Sequence, residues 1–542
     1  MNIASRIEAQ AKLRPQQIAV KFPKKLGDDT YLYKSLTFKE LNDRSSHYAS
    51  YLRDQGIVKG NKVLLFVRPS LDFSALVFAI FKLGAVPVLI DPGMGRKNLI
   101  TAIKQVAPDA LMAVPEVHFM RIFFKEAFAG IKTFISTGIA FNKDTHTLRK
   151  MKKATPKEFI TEQCDPEDMA AILFTSGGTG IPKGVVYTHK IFNKQTDILQ
   201  EMFSLTDKDI DLPGFPLFSF FTMAMGMTSC IPDMNPSKPA KCKPMALVQN
   251  IADNNATFVA GSPAIWERVA DYCLENNLIL PSVKYLVMFG APVRVELHKK
   301  LQRVLTNGTT YTPYGATEAL PISNVSGKYI LENTAKLSND GNGTCIGTPA
   351  PGIEIKIIKA HDRVITSFED IEEVSSNQVG EIIVRGDVVT KEYYKMPDKA
   401  LEAKIKDGDT FWHRMGDVGY FDEQGRLWFM GRKIHRLELE DQIKYSIPVE
   451  AIFNNHLLVR RSALVGIQKD GKMKPAIVIE PNEKYYHQYQ FKKDLMQLGS
   501  RYKHTQDIEN IYFMEKFPVD IRHNIKIDRK LIEKLVNAGK VK

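Results

Sequence analysis

Between residues 60 and 315 the chain carries a series of short apolar runs without period-2 alternation. They are Val63–Val67, Val86–Ile90, Ala110–Val114, Ile131–Ile135, Ala171–Phe174, Thr257–Ala260, Leu286–Phe289 and Thr310–Thr312. Strands of this kind are buried on both faces, as in a parallel sheet covered by helices. Helical patterns fall among them. Thr37-x-x-Glu40 reads as a capping box, Leu41, Tyr48, Ala49 and Leu52 share one helical face, and Gly56 is the stop. Leu71–Leu83 is a second helix. The fold class is therefore α/β, in which functional loops follow the C-terminal ends of strands.

The style changes near Gly380 to short strands with turns, and from Lys433 to a compact α+β pattern. A length of 542 residues agrees with more than one domain. Five cysteines, none in a CxxC pair, make neither a disulfide framework nor a zinc pattern. Met1–Gln16 lacks the apolar core of a signal peptide, and Ser74–Ile90 is broken by Lys82, Gly84 and Pro87. That run reads as buried helix plus strand rather than a membrane span, and the expected location is cytoplasmic. The formal net charge of +13 asks for an anionic partner: nucleic acid, a membrane surface or a polyphosphate. Two stretches read as loops, the proline-rich Pro232–Pro244 and the basic Asn142–Pro156. For the basic one, solvation is the plainer reading and a docking patch the sharper one.

The strongest chemical signal is Phe174-Thr175-Ser176-Gly177-Gly178-Thr179-Gly180-Ile181-Pro182-Lys183-Gly184, between two apolar runs. Hydroxyls and glycines this dense expose successive backbone N–H groups, and the lysine adds a cation, which suits a polyphosphate. Pro182 and the absence of Ser/Thr after Lys183 exclude a Walker A loop. The segment resembles the phosphate loop of the acyl-adenylate-forming enzymes, and four further motifs follow in order.

Gly290-Ala291-Pro292 resembles that family's adenine-side segment, and Tyr314-Gly315-Ala316-Thr317-Glu318 its Tyr-Gly-x-Thr-Glu. The resemblance implies that Tyr314 stacks on adenine, Thr317 contacts the α-phosphate and Glu318 helps hold Mg²⁺. Gly416-Asp417, fifteen residues before Gly431-Arg432, resembles the ribose-binding pair, with Asp417 accepting both hydroxyls and Arg432 closing the large domain. Phe517–Ile527 occupies the place of the catalytic-lysine segment, more loosely than the others, and makes Lys526 the catalytic lysine. The implied architecture is an N-terminal domain, 1–432, of two parallel-sheet subdomains plus a small β subdomain. A mobile α+β lid, 433–542, carries Lys526. The implied reaction joins a carboxylate to AMP from Mg·ATP and releases pyrophosphate; no covalent enzyme nucleophile is needed, and His189 at most lines the pocket.

Departures from the family pattern narrow the branch. Ile434 stands where the hinge usually has Asp or Lys, the loop Leu437–Pro448 lacks the glycine that lies along the thiol tunnel in CoA ligases, and Arg522-His523-Asn524-Ile525 replaces smaller residues. Together with Asp91–Leu99, Pro313–Pro321 and Gly431–Arg436, they resemble the olefin-pathway β-lactone synthetases. In that branch the β-hydroxyl of a long-chain 2-alkyl-3-hydroxy acid attacks its own acyl carbon, so CoA is disfavoured as a partner. A fatty acyl-CoA or acyl-carrier-protein ligase is the second reading. The acyl pocket should be apolar and aromatic, with Phe218, Phe220 and Trp266 as substrate contacts. Residues 433–542 hold 21 Lys and Arg against 14 Asp and Glu, so a basic lid over a nucleotide favours polyphosphate over nucleic acid. Weak association with a membrane surface or a pathway enzyme stays open.

Overall fold

The computed structural model describes all residues except 28–29, 176–180, 470, 483–487, 520–525 and 542. Two seven-stranded sheets form its large part. The first runs in the order Thr145–Thr147, Thr133–Ser136, Ala110–Ala113, Lys62–Phe66, Val86–Ile90, Met169–Thr175 and Lys183–Thr188, parallel except for the last pair. The second runs Thr309–Tyr311, Tyr285–Met288, Phe258–Gly261, Ile210–Pro213, Thr228–Cys230, Ile18–Lys25 and Tyr31–Thr37, again parallel until its last pair. Runs without alternation thus occur where both sheet faces are covered.

One apolar core joins the sheets: Val63 and Leu65 of the first and Ala260 and Val287 of the second share it with the helix Leu71–Lys82. Within it, the Phe220 ring stands 4.9 Å from Phe81 and 5.2 Å from Phe78. Lys82, the charge that breaks the apolar run, is fully buried there. Its Nζ donates to Asn42 Oδ1 and to Ser46 Oγ, each at 2.7 Å, and burial lowers its pKa to about 8. Buried ammonium is tolerated because its donors are spent. The capping box forms as the sequence predicts, Glu40 N donating to Thr37 Oγ1 at 3.1 Å and Thr37 N to Glu40 Oε2 at 2.8 Å.

An antiparallel sheet of eight strands follows, including Tyr314–Ala316, Ala319–Asn324, Gly380–Arg385, Thr410–Phe421 and Leu427–Arg432. Beyond it, Val459–Lys469, Lys472–Pro481 and Asn510–Phe513 form a small sheet with the helices Ser446–Asn454, Gln488–Gly499 and Arg529–Asn537. Two apolar clusters there draw only on residues from Leu437 onward.

Two stretches expected as loops carry structure. Asn142–Pro156 contains the strand Thr145–Thr147 and the helix Leu148–Lys153, because Leu148 and Met151 are spaced to bury one face while the basic residues stay outside. Leu437–Pro448 contains a small hairpin pairing Leu437–Glu438 with Ile443–Lys444.

At the start of the C-terminal part, Glu381 is almost completely buried and accepts from Arg414 Nη2 at 2.6 Å and from Lys433 Nζ at 2.9 Å. Lys433 Nζ also donates to the His361 carbonyl, and Arg436 pairs with Asp362 at 2.7 Å. Glu381→Ala leaves buried Arg414 and partly buried Lys433 without their shared carboxylate, with only backbone carbonyls as acceptors. It should lower stability by about 3–5 kcal/mol, seen as an earlier first transition in urea unfolding followed by circular dichroism.

Candidate active site

A cavity of about 2820 Å³ opens where strands of both parallel sheets end and the antiparallel sheet and C-terminal part approach them. Its lining includes Thr175, Lys183, Gly290, Ala291, Pro292, Tyr314, Gly315, Ala316, Thr317, Glu318, Asp417, Arg432, Lys526, Phe218 and Phe220. Residues spread over more than 350 positions of the chain are thus brought to one space. Ser176, Gly177, Gly178, Thr179 and Gly180 lie outside the described residues. Their flanks are fixed, since Thr175 pairs with Lys183 across an antiparallel ladder. Lys183 Nζ lies 5.0 Å from the centre of the Tyr393 ring.

Thr317 and Glu318 form the tip of a tight hairpin, because Ala316 pairs directly with Ala319. Gly315 is needed at that turn: a Cβ there would meet the Ala319 carbonyl at 2.7 Å. The tip is held from outside. Tyr187 Oη donates to the Thr317 carbonyl at 2.5 Å, while Thr390 N and Oγ1 donate to the Glu318 carbonyl at 2.8 and 3.0 Å. Tyr393 Oη donates to Glu318 Oε1 at 2.8 Å. Behind them, Lys404 Nζ donates to the Thr390 carbonyl. Burial pushes the Lys404 ammonium down to about 7 against the pull of Glu318, and holds His413 beside it well below its ordinary range. Burial and the Glu318 charge raise Tyr393, keeping its phenol a donor.

On the antiparallel sheet Asp417 and Arg432 are cross-strand partners. Tyr314 Oη donates to Asp417 Oδ2 at 2.6 Å, which fixes the orientation of the ring. Arg432 Nη1 lies 3.1 Å from Asp417 Oδ1 but outside hydrogen-bond alignment, so that buried oxygen keeps acceptor capacity. Burial raises the Asp417 carboxyl and Arg432 opposes it. Lys526 lines the cavity, and its described neighbours are held: Asp528 N donates to the Pro518 carbonyl at 3.0 Å, Val519 bridges Ile527, and Arg529 grips buried Glu450 with two bonds of 2.7 and 2.6 Å.

The other end of the cavity is aromatic. The Phe218 ring lies 4.9 Å from Phe289, and Phe215, Leu217 and Phe221 line the same wall. Trp266 is a correction: it is completely buried on the other side of the second sheet, among Leu212, Val259 and Leu286, and Pro263, Ala264 and Glu267 line the cavity instead. The helical repeat turns Trp266 away from the side its neighbours present. His189 is likewise buried and outside the lining, its Nδ1 accepting from Ile3 N at 3.2 Å.

Sequence reasoning missed Tyr393, Thr390, Lys404 and Tyr187, whose partners lie up to 130 positions away. It also missed Asp211, a polar member of the aromatic end. Asp211 is buried and lines the cavity; its Oδ2 accepts from Thr222 Oγ1 at 2.7 Å and Ser229 Oγ at 3.1 Å. Burial pushes this carboxyl up to about 7.

These features define an α/β protein with a deep ligand cavity, charged at one end and aromatic at the other. The sequence pattern of the AMP-binding enzyme family, described as "AMP-binding enzyme", matches residues 7–394, and the chain belongs to that family. The resemblance drawn from the motifs is borne out. The olefin β-lactone synthetase of Stenotrophomonas maltophilia (strain K279a) is 37% identical over 98% of this chain and 97% of its own length. Its counterpart in Xanthomonas campestris pv. campestris is 36% identical over 98% and 96%. Among solved structures, the amide bond synthetase McbA from Marinactinospora thermotolerans superposes with a TM-score of 0.80 at 21% identity, covering 98% of this chain and 99% of that one, and shows the shared fold.

A raised Asp211 pKa has a defined sign. The folded chain holds this proton up to about 7, whereas an unfolded aspartate loses it near about 3.9. Asp211 therefore costs stability progressively as pH rises from about 4 to about 7, and no further above that. Asp211→Asn removes the dependence. Thermal unfolding of both proteins across this range should show the Asn variant gaining on wild type as pH rises; a constant difference would refute the assignment.

Proposed function

We propose that this chain adenylates a long-chain carboxylic acid with ATP and then closes a β-lactone on it, with 2-alkyl-3-hydroxy fatty acids as the substrate class. The observation that carries this reading is the identity of 36–37% to two olefin β-lactone synthetases over 98% of the chain. The aromatic arm that continues into the polar end of the same cavity supports it.

In the first step a carboxylate oxygen attacks the α-phosphorus of ATP, and pyrophosphate leaves. Asp417 Oδ1, buried with unspent acceptor capacity, suits the ribose hydroxyls. Tyr314, held by Asp417, offers its ring to adenine beside Gly290-Ala291-Pro292. Thr175, Lys183 and the segment Ser176–Gly180 receive the polyphosphate, and Thr317 the α-phosphate. Lys526 and Arg432 bring positive charge to the oxygens on which charge develops. Bound Mg²⁺ would neutralise phosphate oxygens, and Glu318 is the residue to hold it. Glu318, whose Oε1 accepts from Tyr393 Oη, offers a carboxylate of the kind a hard cation would take.

In the second step the β-hydroxyl oxygen attacks the acyl carbon, the bond to AMP breaks, and the hydroxyl proton is released. The nucleophile is already tethered to the acyl group, and effective molarity replaces a second substrate. Residues 433–542 act as a lid that presents Lys526. Nucleic acid has no place in this reading, and the basic lid closes on nucleotide.

The decisive measurement is pyrophosphate and AMP release from a 2-alkyl-3-hydroxy acid with and without CoA, with infrared detection of the lactone carbonyl. Turnover to lactone without CoA is expected. Strict CoA dependence with thioester as product would replace this reading with a fatty acyl-CoA ligase. Lys526→Ala should lower pyrophosphate release by about 10²-fold or more, with the circular dichroism spectrum unchanged.

A further inference from the structure

Outside the site, the most unusual surface lies beside the first sheet. Phe119, Ile122, Phe123, Ile139 and Phe141 are each between 43% and 68% exposed. The Phe119 ring stands 5.4 Å from Phe123 and 6.3 Å from Phe141, so the aromatics form one patch. Scattered apolar side chains are ordinary on a surface, whereas a contiguous patch marks an interaction site. The patch also adjoins the cavity. Phe119 belongs to the helix Pro115–Met120, whose Val117, with Val114 just before it, lines the cavity wall.

Its rim is basic. Residues 119–153 contain eight Lys and Arg and only two acids, Glu126 and Asp144. Both acids are engaged, Glu126 by Lys104 at 2.8 Å and Asp144 by Arg121 at 2.9 Å. Lys125, Lys143, Arg149 and Lys150 are exposed, and among the described residues they pair with no carboxylate. Topology brings the charge to the patch. The helix Leu148–Lys153 begins where the strand Thr145–Thr147 ends, and that strand is parallel to Thr133–Ser136, after which Ile139 and Phe141 follow. Arg149 and Lys150 therefore stand at the same sheet edge as the aromatics.

We propose that this face docks on an anionic phospholipid bilayer, the five apolar side chains entering the interface and Lys125, Lys143, Arg149 and Lys150 meeting the headgroups. The chemistry favours lipid over protein. An apolar wedge inside a rim whose unpaired charges are positive is the pattern of interfacial binding. A second copy of the chain, joined about a two-fold axis, would set that rim against itself. Among the described residues no helix is long and apolar enough to cross a membrane, so the contact is peripheral. Docking places the cavity wall at Val114 and Val117 near the bilayer, where a long-chain acid resides; that last clause rests on the proposed function, and the docking does not.

The test is co-sedimentation of the full chain with vesicles of phosphatidylcholine alone or mixed with phosphatidylglycerol, without ATP or acid, so that its outcome is independent of catalysis. Binding to the mixed vesicles, weakened by salt, is expected. It should fall about tenfold or more in Phe123→Ser/Phe141→Ser and in Lys143→Glu/Lys150→Glu. The charge pair, fully on the surface, serves if the serine pair does not fold. No binding by wild type, equal binding by the folded variants, or salt-independent binding to neutral vesicles would overturn the proposal. So would a wild-type dimer in analytical ultracentrifugation that ignores vesicles and becomes a monomer in the serine pair.

Discussion

Everything functional in this chain depends on two parallel sheets sharing one core with their C-terminal edges open to a common space. Parallel strands leave all their following loops on one edge. Here the residues after Lys62–Phe66, Val86–Ile90, Ile210–Pro213 and Tyr285–Met288 all contribute to one cavity: Val67 and Arg68, Asp91, Phe215, and Gly290. Phe220 and Phe81 hold the sheets at that spacing from inside. The antiparallel sheet then closes one side by presenting Thr317 and Glu318 on a hairpin tip. A charged end and an apolar end arise together, because the loops carry polar groups and the shared core continues as the aromatic wall.

The polar end is stiff because its members are tied by hydrogen bonds to one another and to groups behind them. Glu318 is reached by Tyr393 at its carboxylate and by Thr390 at its carbonyl, and Thr390 is in turn held by Lys404. Asp417 is oriented by Tyr314 and faces Arg432. Hydrogen bonds to ionised groups in a poorly solvated space are strong, and an unspent partner there is expensive. The burial that lowers Lys404 and His413 also means that the site carries less positive charge than its residue count suggests. Lys183, Arg432 and Lys526 are among the many cations at the cavity wall, which suits a polyanion.

How much of this was legible in the sequence follows from how local each signal is. The parallel sheets could be read from runs such as Val86–Ile90, since burial on both faces leaves its mark within a few residues. The Tyr314–Glu318 segment and the Gly416-Asp417 pair could be read because their chemistry is contiguous. Tyr393 and Lys404 could not, as their meaning comes from a carboxylate more than 70 positions upstream in the first case and from the Thr390 carbonyl, beyond the helix Pro397–Ala403, in the second. Trp266 shows the opposite failure: an apolar aromatic residue suited an acyl pocket, but composition does not say which face of a helix meets which side of a sheet. Asp211 hides for the same reason, a carboxylate inside an apolar strand that only its neighbours Thr222 and Ser229 explain.

The junction at residue 433 bears on how two chemical steps share one site. Lys433 and Arg436 stand on either side of Ile434 and His435, and both bind the short segment His361–Arg363 or its neighbour Glu381. A connection gripped at both ends resists large rotation more than one whose pivot carries a single solvated charge, and here the pivot residue Ile434 is half exposed. Farther along, Asn455 Nδ2 donates to the Asn339 carbonyl at 2.9 Å and Arg294 Nη2 to the Arg460 carbonyl at 2.6 Å, so the C-terminal part is fastened at two further points around the cavity that Lys526 lines. An enzyme that must admit a second, bulky substrate after adenylation needs those contacts to break in every turnover. One whose nucleophile arrives already attached to the acyl group does not, and can keep the lid where charge is still being neutralised as the ring closes. On the proposed function, the anchored junction and an intramolecular second step answer the same requirement.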